Sequence, residues 1–299
     1  MRVILNTPPR RDGLTAVLAA TAVLVSLLAS PLPAGAAERR KVVTAFYPLA
    51  WVAAQVGGDR VAVGNLTPAG AEPHDLELTP DQMDSLLDAD VAIVMGKAFQ
   101  PAVERAAEQR DGVTVRLLDR LPTRTGDPHV WLDPVLMQRI VARVRTALTK
   151  ADPAGRAVYQ RNAADLDTRL AALDQRYRDG LSTCARHEIV TAHEAFGYLA
   201  RRYGLRQQGV AGLAPDAEPD AKRLAQLADL VERDGVTTVF TESLLSPRIA
   251  DTLAREAGVR TAVLNPLEGL TAKERAQGDD YISVMDANLA KLRMALGCT

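Results

Sequence analysis

DPAGRAVYQRNAADLDTRLAALDQRYRDGL, residues 152–181, decides the architecture. It has no proline after Pro153 and no glycine between Gly155 and Gly180. Asp152-Pro153 reads as a helix start, with proline at the first helical position. Leu166, Leu170, Leu173, Tyr177 and Leu181 recur at helical spacing and set one apolar stripe on one helix. A helix over 153–181 would run about 43 Å at 1.5 Å per residue. A rod of that length can tie two lobes together.

The chain on either side of the rod alternates short apolar runs with helical patterns. Before it, Val42–Phe46, Val61–Leu66, Val91–Met95 and Val113–Leu117 read as strands. Thr79-Pro80-Asp81-Gln82 carries a capping residue, a first-turn proline and a glutamine at the third helical position. After the rod, His187–Thr191, Val236–Thr241 and Arg260–Leu264 are strand-like, with a weaker run at Gln208–Leu213. Glu194–Tyr203, Pro219–Arg233 and Pro247–Ala257 are helix-like. Strands alternating with helices imply parallel sheets. The expected fold is therefore α/β: two parallel-sheet βα lobes joined by one long helix. The N-terminal lobe covers 37–152, the linking helix 153–181 and the C-terminal lobe 182–299.

Composition narrows the function. Formal net charge is −1, with 36 basic and 37 acidic residues in no long block, so nothing points to nucleic acid. The N-terminus reads as an address. Arg2, Arg10 and Arg11 precede the apolar stretch Leu14–Ala29, which Pro31 and Pro33 break, and Ala34-Gly35-Ala36 fits a cleavage site. A signal peptide over 1–36 implies export to the periplasm or the outer face of the cytoplasmic membrane. Its removal takes away three Arg and one Asp and leaves 33 basic and 36 acidic residues. Export favours a bridge between the two cysteines, Cys184 and Cys298. Neither follows the apolar stretch, where a lipid-carrying cysteine would stand.

Three of the four histidines close short apolar runs. His74 follows Val61–Leu66, His129 lies in Asp127-Pro128-His129-Val130-Trp131-Leu132-Asp133-Pro134, and His193 follows Ile189-Val190-Thr191-Ala192. Ligands of open α/β sheets bind at the carboxyl ends of strands, and neutral imidazole is the commonest metal ligand among side chains. The wide spacing lets a folded crevice, rather than a local loop, set the geometry. His187 stands at the start of its strand, away from that edge, and reads as a surface residue. His193-Glu194 lacks the second histidine of a zinc-protease helix, since the fifth position is Gly197. Gly96-Lys97 lacks the upstream glycine of a P-loop.

These segments carry a resemblance. Pro68–Pro80 is similar to the "PPGxxPHxxExxP" segment of the zinc- and manganese-uptake solute-binding proteins of ABC transporters. Residues 127–134 resemble their "DPHxWLDP" segment, and 191–198 their "TxHxAFGY" segment. Val239–Ser243 and Val263–Leu267 continue the series in order, so the similarity spans nearly the whole exported chain. The resemblance implies a metal held between two α/β lobes by His74, His129 and His193. Histidine rather than glutamate at the third position implies zinc over manganese, because nitrogen donors suit zinc and oxygen donors suit manganese. The fourth ligand of the family is often Asp in "LDPLG"; here the chain reads Leu264-Asn265-Pro266-Leu267-Glu268. Asn265 takes the fourth position by alignment. Its amide oxygen, a water, Glu268 and Glu242 remain alternatives at that point.

The leading expectation is a monomeric, exported Zn²⁺-binding protein, with Mn²⁺ as the alternative ion, that serves an ABC transporter permease and its ATPase. The rivals are a zinc hydrolase, with Glu194 as base if it faces the metal, and an adhesin or structural metal protein.

Overall fold

The computed structural model describes residues 38–299, apart from 125 and 216–218; the segment read as a signal peptide lies outside the described residues. Among the described residues, no helix is long and apolar enough to cross a membrane. The first lobe runs β1 (Arg40–Thr44), α1 (Tyr47–Gly57), β2 (Val61–Asn65), α2 (Pro80–Leu87), β3 (Val91–Val94), α3 (Pro101–Ala107), β4 (Val113–Arg116) and α4 (Pro134–Ala151). A short 3₁₀ turn, Pro153–Gly155, leads into α5 (Arg156–Gly180). The second lobe runs β5 (Glu188–Thr191), α6 (Gly197–Arg202), β6 (Arg206–Gly209), α7 (Ala221–Arg233), β7 (Thr238–Thr241), α8 (Arg248–Glu256), β8 (Arg260–Val263), α9 (Ala272–Ala276) and α10 (Tyr281–Leu296).

Each lobe holds one four-stranded sheet, in order β2-β1-β3-β4 and β6-β5-β7-β8. All the pairings are parallel. The α/β architecture of two parallel sheets and a long helix is the expected one. The central strands β3, β5 and β7 are buried along their whole length, as strands covered on both faces must be. Edge strands β2 and β8 are largely exposed. In both sheets the order reverses beside the first strand, so the switch point lies between β1 and β3 and again between β5 and β7. β6 lies earlier than the apolar run at 208–213 predicts. It is a polar edge strand, and Gln207 is occupied in donating to Thr191 Oγ1 and His193 O.

The predicted stripe on the rod is the buried face of α5. Tyr159, Leu166, Leu170, Leu173 and Tyr177 are all covered, and the helix packs on α1, α4 and α10. Its N-terminal end is tied to the first lobe at Asp152, whose carboxylate accepts from Tyr159 Oη at 2.7 Å and Arg60 Nε at 2.8 Å. Its C-terminal end is tied to α10, where Tyr177 Oη donates to Met285 O at 2.7 Å. Thr79 and Gln82 form the capping box of α2 read from sequence. The main apolar core continues from one lobe into the other, through Phe46, Trp131, Tyr177, Leu264, Leu267 and Tyr281 among others. A smaller cluster around Val190, Leu227, Val239 and Leu253 lies under α7 and α8. Cys184 and Cys298 are bridged, joining the chain after α5 to the end of α10.

Candidate metal centre

Each segment of the site begins at the carboxyl edge of a strand. His74 lies between β2 and α2, in a turn where its N–H donates to Glu72 Oε2 at 2.9 Å. Its ring stands edge-on to Phe99. His129 lies between β4 and α4, and its motif can be read residue by residue. Asp127 Oδ1 accepts from both the backbone N–H of His129 at 3.0 Å and the ring Nδ1 at 2.9 Å. Trp131 is wholly buried, and its Nε1 donates across to Pro266 O at 2.8 Å. Asp133 caps α4 by accepting from Val135 N and Leu136 N, and it also takes Arg202 of the second lobe. Pro134 is the first residue of α4. His193 follows β5 at the second switch point. Glu242, just after β7, repeats the role of Asp127: its Oε1 accepts from the His193 N–H at 3.0 Å and from Nδ1 at 2.7 Å.

The three imidazoles converge. His129 Nε2 and His193 Nε2 are 3.4 Å apart, and the ring centroid of His74 is 5.5 Å from that of His129 and 6.1 Å from that of His193. The fourth group is Glu268. Its Oε1 lies 3.1 Å from Nε2 of His74 and 3.4 Å from Nε2 of both His129 and His193. The ligand atoms of these four side chains all lie within 4.8 Å of one another. His129, His193 and Glu268 are almost wholly shielded from water, and His74 forms the slightly exposed rim. A cavity of about 260 Å³ between the lobes, lined by Asn65, Thr67, Pro68, Leu270 and Arg275, ends on Glu268.

Asn265, aligned with the fourth position, stands apart from this group. Its Oδ1 accepts from Leu267 N and its Nδ2 donates to Glu274, so both ends of the amide are engaged within its own loop. Of the two glutamates weighed as stand-ins, Glu268 enters the cluster and Glu242 lies behind His193. Glu194 lines a separate cavity with Arg124, Arg201 and Arg206 and is not one of the four grouped side chains. His187 is exposed ahead of β5.

Electrostatics match the geometry. Burial opposes a charge on His193, but hydrogen bonds to Glu242 and Glu268 outweigh it and raise the ring's pKa to about 10. Burial likewise opposes a charge on His129, and Asp127 and Glu268 again prevail and raise it. Glu268 is held well below the usual carboxylate range, because hydrogen bonds from the three rings outweigh its burial. Glu242 is pushed up, chiefly by burial. The raised histidines and the depressed Glu268 show that the buried centre favours positive charge, so a cation can take the place of protons there. Asp127 and Glu242 hold the Nδ1–H of their rings, so a cation that displaces the Nε2 protons would meet both Nε2 lone pairs. Three nitrogens and one carboxylate oxygen are a donor set that suits tetrahedral zinc.

Two parallel sheets of like order, one joining helix and a buried His₃Glu cluster between the lobes define a two-lobed metal-binding protein. A family model described as zinc-uptake complex component A, periplasmic (ZnuA), matches residues 42–295, and the chain belongs to that family. It is 35% identical over 306 residues to the high-affinity zinc uptake system protein ZnuA of Bacillus subtilis, covering 94% of this chain and 96% of that protein. It is 37% identical over 274 residues to the zinc-binding lipoprotein AdcA of Streptococcus pneumoniae, covering 84% of this chain and 55% of AdcA, about half of that protein's length. The solved Zn(II)-bound ZnuA-like domain of that AdcA matches with a TM-score of 0.77 at 37% identity, over 86% of this chain and 99% of the domain. The family is a solute-binding component of zinc uptake and not an enzyme.

Proposed function

We propose that this chain captures Zn²⁺ outside the cytoplasmic membrane and delivers it to the permease of an ABC transporter powered by a separate ATPase. His74, His129, His193 and Glu268 hold the ion. One observation carries the reading: four ligand atoms from four separate segments meet within 4.8 Å in a buried crevice. Asp127 and Glu242 orient two of the rings and raise their basicity. Three neutral imidazoles and one carboxylate leave a bound Zn²⁺ with one net positive charge, and the two carboxylates behind the rings offset it. The nitrogen-rich set favours zinc over manganese. Export to the periplasm or the outer face of the cytoplasmic membrane, and a monomeric state, complete the proposal.

The test is metal analysis of protein purified without chelator, followed by competition between Zn²⁺ and Mn²⁺. The expected result is one zinc per chain, not displaced by equimolar manganese. His193→Ala and Glu268→Ala should each weaken zinc. Preferential loading with manganese, or full affinity in both variants, would refute the assignment.

A further inference from the structure

We propose that Asn265, braced by Asn288 and Glu274, is a positioning residue that holds Glu268 at the metal centre. The proposal rests on the reading that Glu268 is a zinc ligand.

Glu268 is supported differently from the histidines. His129 and His193 are each fixed by a carboxylate on the far ring nitrogen. Glu268 stands on irregular chain between β8 and α9, so the backbone of that loop aims it. The start of the loop is gripped at two points by α10. The Asn265 N–H donates to Asn288 Oδ1 at 3.0 Å, and Asn288 Nδ2 donates to Asn265 O at 2.7 Å. The Leu267 N–H donates to Asn265 Oδ1 at 2.7 Å, and Asn265 Nδ2 donates to Glu274 Oε1 at 2.8 Å. The other oxygen of Glu274 accepts from Thr271 N and Thr271 Oγ1, each at 2.8 Å, as the capping box of α9. Residues 265–274 are thereby tied end to end, with Glu268 between the ties.

The loop needs this restraint. Leu267, next to Glu268, has φ +59°, a left-handed conformation uncommon for a side chain of its kind. Leu267 is wholly buried, and Trp131 holds the Pro266 carbonyl from the first lobe. Asn265 and Asn288 are themselves buried, at 2% and 0% exposure, so water cannot replace a lost partner cheaply. The Asn265 amide accepts from Leu267 through one atom and donates to the Glu274 carboxylate through the other, which an ionised aspartate could not do. That accounts for asparagine at the position where the motif resemblance suggests a carboxylate ligand.

The experiment measures zinc Kd by competition with a chromophoric chelator, and the melting midpoint of the zinc-free protein. Asn265→Asp sets a carboxylate against Glu274 in place of a hydrogen bond. Adding Glu274→Gln restores that bond with reversed polarity, because glutamine still serves a capping box. Asn265→Asp should weaken zinc at least about tenfold, a typical coupling within one hydrogen-bond network. The double variant should recover to within about threefold, and in a Glu268→Ala background Asn265→Asp should change Kd by less than about twofold. Glu274→Ala, on the half-buried side of the loop, carries the same comparison should Asn265→Asp melt too low to load. Unchanged or tighter zinc binding in Asn265→Asp overturns the proposal, and so does an equal loss in both backgrounds. If Glu268→Ala alone leaves zinc affinity intact, the ligand reading itself fails and the proposal falls with it.

Discussion

At the residue scale, the site is built from pairs. Each deeply buried histidine has a carboxylate whose single oxygen takes both the ring Nδ1–H and the backbone N–H of the same residue. One interaction therefore fixes chain direction, tautomer and ring plane together. The geometry predicts that Asp127→Asn and Glu242→Gln each weaken zinc about 10–100-fold, the usual consequence of losing such a partner. Chelator competition would measure it, and a loss under about threefold in both variants would exclude an orienting role for these carboxylates. The sequence displays both carboxylates without assigning either to a histidine ring. Asp127 stands two residues before His129, where an Asp side chain readily accepts the backbone N–H. Glu242 follows a strand end and was among the candidates for the fourth position. Its actual place behind His193 depends on β5 and β7 being neighbours, which no local pattern states.

At the element scale, α5 owes its identity to its stripe and its anchoring to Asp152. Local periodicity was enough to read the helix, because 25 residues of helix bury one face wherever they are docked. The 3₁₀ turn at its start has no periodic signal of its own, whereas α4 opens on Asp133-Pro134, a helix start of the same kind. Arg60 and Tyr159 give the anchor a pH dependence. Burial raises the Asp152 pKa, but hydrogen bonds from Tyr159 and Arg60 outweigh it and set it below the ordinary aspartate value. A depressed folded-state pKa gives stability that is present in full above the unfolded value, about 3.9, and is lost as pH falls through the folded value. Asp152→Ala should cost about 2–3 kcal/mol at pH 7, since it removes the shared acceptor of a charged and a phenolic donor. Urea midpoints should show that gap narrowing below about pH 4. A gap unchanged between pH 7 and pH 3 would contradict the linkage.

At the scale of the molecule, the lobes are joined by more than α5. The core is continuous between them. Trp131 reaches Pro266, Tyr281 Oη donates to Trp131 O at 2.6 Å, and the Arg124 N–H donates to Tyr198 Oη at 2.6 Å. Wide opening would break these buried bonds and expose apolar surface, so zinc loading should move side chains and loops more than lobes. Scattering curves of zinc-free and zinc-loaded protein should give radii of gyration within about 1 Å. A larger contraction on loading would show that the lobes hinge.

The sequence by itself determined what depends on neighbours along the chain: the alternation of strand and helix, the apolar face of α5, the cap of α2, and three histidines on segments that follow strands. Periodicity and turn chemistry act over a few residues, so they survive without a fold. Only the tertiary structure decided which oxygen joins those histidines. Asn265 and Glu268 are three residues apart on irregular chain, and a left-handed Leu267 lies between them. The backbone torsions of that loop, rather than any local pattern, set which side chain faces the crevice. Asn288 on α10, Glu274 at the cap of α9 and Trp131 from the other lobe meet that loop only after folding, and they turn Glu268 inward while the Asn265 amide is spent on holding it there.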